Sequence, residues 1–158
     1  MKPNKDRRVR ASKDVRFTQW AVVHQSEKFT SLEPYSGYIQ ALPEDNGTVT
    51  YLEPEPSEET LGSALLDVLD RSRFFHPDEV PGFYKADRIV KANQHWNQEF
   101  MTRFGYKTKK DAYKTMTYCR VTRREGQITI KPTVAINRNI GQIFPGIGSS
   151  SFRRRPIR

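Results

Sequence analysis

Ser57-Glu-Glu-Thr-Leu-Gly-Ser-Ala-Leu-Leu-Asp-Val-Leu-Asp-Arg-Ser-Arg-Phe-Phe75 is the stretch that decides the fold. Ser57 is a good N-cap, since its hydroxyl can accept from the free amides of a first turn. Glu58 and Glu59 follow, where the helix dipole favours anions, and Arg71 and Arg73 lie near the far end, where it favours cations. Leu61, Leu65, Val68 and Leu69 recur at helical spacing and form one apolar face. The approach to Pro77 ends the helix, because a residue before proline is pushed out of helical geometry. A helix with a single apolar stripe needs a surface to cover.

The flanks supply that surface. Phe17-Thr-Gln-Trp-Ala-Val-Val23 is rich in β-branched and aromatic residues and reads as a strand. A second strand is expected at residues 35–41, then a turn in Pro43-Glu-Asp-Asn-Gly47, then a return over Thr48-Val-Thr-Tyr-Leu52. Residues 35–52 therefore read as a hairpin. Glu53-Pro-Glu-Pro56 breaks the sheet, since two prolines remove ladder donors.

Beyond the decisive helix, Pro77-Asp78-Glu79 suits one short turn. Ile89, Trp96, Phe100 and Phe104 space out a helix over residues 87–104, with Gly105 as its stop. Thr108 caps a third helix running to about Met116, with Asp111 completing a box-like Thr-x-x-Asp. Residues 118–123 and 127–131 flank Arg124-Glu125-Gly126 as a second hairpin. Strands, then helices, then strands imply an α+β fold: an antiparallel sheet of about four to six strands decorated by two or three main helices. The expected organisation is a mobile basic arm at residues 1–16, one α+β domain at 17–136, and a Gly/Ser/Arg-rich end at 137–158.

The formal charge of +9 is carried by the two ends. Residues 1–16 hold seven basic and two acidic groups, residues 153–158 hold four arginines, and residues 17–152 balance at sixteen of each sign. That balanced middle is polarised, with −9 over residues 17–80 and +9 over residues 81–152. No stretch approaches the roughly 20 apolar residues of a membrane span, and no apolar segment follows the basic start as a secretory signal requires. One cysteine, Cys119, cannot form an internal disulfide and fits a reducing compartment.

Catalytic and metal signatures are missing. His24, His76 and His95 stand far apart without a ligand at zinc spacing, and each reads as a surface or half-buried residue. Gly146-Ile-Gly148 is too short to cradle a phosphate, and the serines of Gly148-Ser-Ser-Ser-Phe152 lack nucleophile-elbow spacing. No cofactor or catalytic residue is assigned. Two signals remain. Acidity is dense over residues 33–79, and such a surface suits a basic protein. Residues 104–118 interleave Phe104, Tyr106, Tyr113 and Tyr118 with lysines, a pattern that can stack bases and neutralise phosphates. With the basic ends, this block supports the alternative of a small nucleic-acid-binding protein. The competing reading of the block is a helix junction with core aromatics and solvated lysines.

Two blocks carry a resemblance. Arg103-Phe-Gly-Tyr-Lys-Thr-Lys-Lys110, continuing through Tyr113, Lys114, Met116, Cys119 and Gly126-Gln-Ile-Thr-Ile-Lys-Pro132, resembles the immunity proteins of bacterial contact-dependent growth inhibition (CDI) systems. Glu58-Glu-Thr-Leu-Gly-Ser-Ala-Leu-Leu66 with Asp70-Arg-Ser-Arg-Phe74 is similar to the same family's helix. After Pro132 the resemblance gives out. It implies a non-enzymatic cytoplasmic protein that binds and neutralises a cognate toxin domain, a nuclease, with no membrane partner. It also implies that strand pairing with a toxin hairpin is available as a mode of engagement. For a basic toxin the candidate contacts are Glu53, Glu55, Glu58, Glu59, Asp67 and Asp70. For an acidic toxin face they are Lys107, Lys109, Lys110 and Arg123.

Overall fold

The computed structural model describes residues 15–45 and 49–133. The expected arm and C-terminal segment, apart from residues 15 and 16, and the Asn46-Gly47 turn lie outside the described residues. The elements in chain order are β1 (Gln19–Gln25), β2 (Thr30–Gly37), β3 (Ala41–Pro43), β4 (Thr50–Leu52), α1 (Glu58–Arg71), a 3-10 turn (Pro77–Glu79), α2 (Ala86–Phe104), α3 (Lys109–Tyr113), β5 (Thr117–Arg124) and β6 (Gln127–Thr133). The strands form one antiparallel sheet in the order β3-β2-β1-β5-β6, with β4 also paired to β2.

Strand alternation divides the side chains between two layers. Ala21 stands opposite Val121 on β5, and both belong with Leu32 to a cluster capped by Val68 and Leu69 of α1. The apolar stripe of α1 thus covers one face. On the other face His24 meets Trp96 of α2 at 4.5 Å between ring centroids, and Trp96 and Phe100 join Phe29, Tyr106, Ala112 and Met116 in a second cluster. The sheet is sandwiched between α1 and α2.

Local chemistry explains most boundaries. Ser57 caps α1 by accepting from the Thr60 amide, and Thr108 caps α3 by accepting from the Asp111 amide. Gly105 closes α2 at φ 71°. Glu125 and Gly126, at φ 50° and 74°, make the tight turn between β5 and β6, whose two central residues both need positive φ.

Four sequence expectations are corrected. The hairpin over residues 35–52 does not form, because β3 and β4 each pair with β2. The strand placed at 35–41 is instead Thr30–Gly37, with Pro34 inside it. On the β3/β4 side the ladder skips Glu33 and Pro34, so the proline lies where that side needs no donor. The third helix stops at Tyr113. His24, expected at or near the surface, is 3% exposed.

Candidate functional site

The acidic candidates divide into two groups. Glu53 and Glu55 flank Pro54, whose carbonyl accepts from Gln25 Nε2 at 2.8 Å and Thr30 Oγ1 at 3.0 Å. This pins the proline-rich link to the end of the β1–β2 hairpin. With Glu27, Thr115 and Thr117 the two glutamates line a shallow open groove of about 990 Å³. Glu58 and Glu59 stand exposed on the first turn of α1, continuing the same negative rim. Asp67 and Asp70 lie toward the other end of α1 and are already engaged. Asp67 pairs with Arg71 at 3.3 Å and Asp70 with Arg123 at 2.5 Å.

That last bond joins one candidate of each charge. Arg123 also donates from Nε to Gln19 Oε1 at 2.8 Å, so it ties β5 to α1 and β1. Lys107, Lys109 and Lys110 are exposed around the start of α3. They precede Thr117, at the opposite end of β5 from Arg123, roughly 20 Å along the strand. The structure does not bring the four basic candidates together. The aromatics Phe104 and Tyr106 face inward: Phe104 stacks on Phe29 at 4.6 Å, and Tyr106 is buried.

One polar group escaped the sequence reading. Glu33 on β2 projects toward α2 and is 8% exposed. Burial pushes its carboxyl up to about 8, with the negative charge of Glu99 adding to the effect. Burial pushes neighbouring His24 down to about 3, so its ring is neutral, with Nδ1 unpartnered among the described residues. Tyr113 donates to Asn97 Oδ1 over the same face, and burial raises the Tyr113 phenol. A narrow cleft opens beside Glu33, lined also by Glu44, Asp45, His95, Trp96 and Glu99. Arg73 holds Glu44 at 2.7 Å, and Arg88 holds Asp45 at 2.8 Å. Among the described residues no group of three or more His, Cys, Asp or Glu side chains could hold a metal ion.

Residues 19–145, running from β1 past β6, match the family model of the CDI immunity proteins. The chain belongs to the CDI immunity protein family. It is 30% identical over 132 residues to the immunity protein CdiI-YPIII of Yersinia pseudotuberculosis serotype O:3 (strain YPIII), covering 76% of this chain and 75% of that one. Its fold is similar to that in a CdiA-CT/CdiI toxin and immunity complex from Yersinia pseudotuberculosis, with TM-score 0.68, 27% identity and 75% of each chain covered. It is similar also to a protein of unknown function from Neisseria meningitidis, with TM-score 0.70, 25% identity and 73% and 72% of the two chains covered.

The family match reaches residue 145, beyond Pro132, where the resemblance of the sequence blocks ends. The residues that carried that resemblance turn out to be architectural. In the Asp70-Arg-Ser-Arg-Phe74 block, Ser72 Oγ accepts from the Trp20 amide at 2.9 Å and donates to the Tyr35 carbonyl at 2.5 Å. It bridges β1 and β2 where α1 ends. In the second block, the helix stop, the cap and the β5–β6 turn recur as structural punctuation. Glu33 was legible only in part. Once a strand is placed at residues 30–37, alternation puts Glu33 on the same face as Tyr35 and Ser31, but the sequence reading begins that strand at residue 35.

Proposed function

We propose that this CDI immunity protein binds the toxin domain of its own system, a nuclease, in the cytoplasm and blocks it by occupying its surface. The family match over residues 19–145 carries the reading. The supporting physics is that of a rigid scaffold with a negative rim. Glu53, Glu55, Glu58 and Glu59 are exposed, form no ion pair among the described residues, and lie where the acidic half of the sequence reaches solvent. A nuclease must be basic where it holds a phosphate backbone, so complementary charge would speed encounter and reject wrong partners. Inhibition by coverage needs no catalytic group. Among the described residues no helix is long and apolar enough to cross a membrane.

Co-expression with the toxin domain encoded beside it should restore growth and yield a copurifying complex. Failure of the pair to associate would refute the reading. Replacing Glu53, Glu55, Glu58 and Glu59 together by lysine should slow association about tenfold or more at low salt, with a smaller effect at high salt. An unchanged rate would remove this rim from the interface and move attention to Lys107, Lys109 and Lys110.

A further inference from the structure

Three features of the cleft between β2 and α2 distinguish it from a solvated acidic patch. Glu33 is more than nine-tenths buried and lines it, yet its carboxyl has no hydrogen bond or ion pair among the described residues. The other acids of the β3 end are neutralised within the molecule, Glu44 by Arg73 and Asp45 by Arg88. Glu99 stands half-exposed on α2, with His95 Nε2 at 3.6 Å as its ionic neighbour when that imidazole is protonated. The cleft thus has one unpaired acid at depth, a second nearer solvent, and the Trp96 ring in its wall. Trp96 Nε1, on its lining, is also buried without a hydrogen-bond partner among the described residues.

We infer that this cleft is a socket for the ammonium head of one lysine of the toxin, received by the carboxyl of Glu33 with Glu99 at its entrance. The inference rests on the toxin-binding reading and names the chemistry of one contact within it. An unpaired buried carboxyl is costly unless something arrives to pair with it. A metal ion is a poor occupant, because the ligand count is too low. An anion would meet two carboxyls. The cleft holds about 20 Å³, room for an ammonium-sized head, so a lysine head can meet the acid while its stem lies across the mouth.

Occupation of the socket has a protonic signature. In the free protein Glu33 titrates at about 8 and is mostly protonated at pH 7. The groups coupled to it electrostatically are Glu99 on α2, Tyr35 on β2, Tyr51 on β4 and Tyr113 on α3, with Arg120 on β5 acting on Tyr35. None of the tyrosines ionises near neutral pH, so they stay silent. A cation entering the socket favours the ionised carboxyl, which therefore sheds its proton on binding at pH 7.

The test is calorimetric titration of the cognate toxin domain into the full chain, in buffers of different ionisation enthalpy. Wild type should release close to one proton on binding. Glu33→Gln should bind at least about tenfold more weakly and lose that release. It should fold normally, because glutamine mimics the neutral acid. Unchanged affinity and unchanged proton release in Glu33→Gln would overturn the socket while leaving toxin binding intact. If that variant fails to fold, the half-exposed Glu99→Gln decides the matter: weaker binding supports the socket, and wild-type affinity overturns it. Absence of any complex with wild type would instead sink the toxin-binding reading, and the socket with it.

Discussion

Ser72 shows how a single hydroxyl can be structural at three places. It follows the last turn of α1, its amide returns to the Leu69 carbonyl, and its side chain bridges β1 and β2. Alanine at this position would leave a buried Trp20 amide and a buried Tyr35 carbonyl unanswered. Ser72→Ala should therefore cost about 2 kcal/mol in urea unfolding, and a loss under about 0.5 kcal/mol would contradict that role. His24 and Glu33 make an opposed pair on one sheet face. The folded state holds His24 at about 3, below its ordinary 6.5, so stability from its burial is lost as pH falls from 6.5 toward 3. It holds Glu33 at about 8, above its ordinary 4.5, so that contribution is lost as pH rises from 4.5 toward 8. Between 4.5 and 6.5 the two slopes cancel. Unfolding free energy should form a plateau there and fall by about 2 kcal/mol on each side, at pH 3 and pH 8. Glu44 steepens the acid side: burial raises it, but the bonds from Arg73 and Ser36 outweigh burial and hold it below the usual range. Glu33→Gln should flatten the alkaline side and, with nothing left to offset His24, make stability rise with pH between 4.5 and 6.5. Denaturation curves that keep the alkaline slope in this variant would reject the assignment.

Elements were legible where their ends are encoded by neighbours in sequence. Ser57, Gly105, Thr108 and the Glu125-Gly126 turn all specify geometry within a few residues, and each sits where its chemistry requires. Pairing was not legible in the same way. That β3 and β4 both join β2 depends on contacts distant in sequence, and Pro34 disguised β2 because its tolerance comes from a gap in the ladder. Gly37 is a further case. A side chain there would meet the Gln40 carbonyl at 2.0 Å and the Tyr84 hydroxyl at 2.6 Å, a crowding invisible until residues 40 and 84 are brought together. The candidate site followed the same division. Exposed acids could be named from composition, whereas the cleft acid Glu33 needed the register. For α1 the face was predictable and can be tested by contrast. Leu69 is fully buried against the sheet, and Leu66 is 47% exposed on the far side. Leu69→Ala should destabilise by about 3 kcal/mol and Leu66→Ala by less than about 0.5, measured by the same denaturation. Equal losses would mean that α1 covers the sheet with a different face.

For the whole molecule, the distribution of charge matters more than its sum. The excess of +9 belongs to the two ends, and residues 17–152 are neutral but polarised. Nucleic-acid binding by the body would need aromatic rings free to stack and cations on one face. Phe104 and Tyr106 are instead held in the core, and Arg123 is bonded to Asp70 far from the lysines of α3. What affinity the protein has for nucleic acid must then come from its ends and be chiefly electrostatic. Deleting residues 1–16 and 153–158 should abolish binding to a DNA duplex at moderate salt and flatten the salt dependence of whatever remains. The same truncation should leave growth protection against the toxin intact, since the family match begins at residue 19 and ends at residue 145. Measured side by side, the two assays separate the readings. Lost protection with retained DNA affinity would place the protective function in the basic ends. Retained protection with lost DNA affinity would assign it to the folded body.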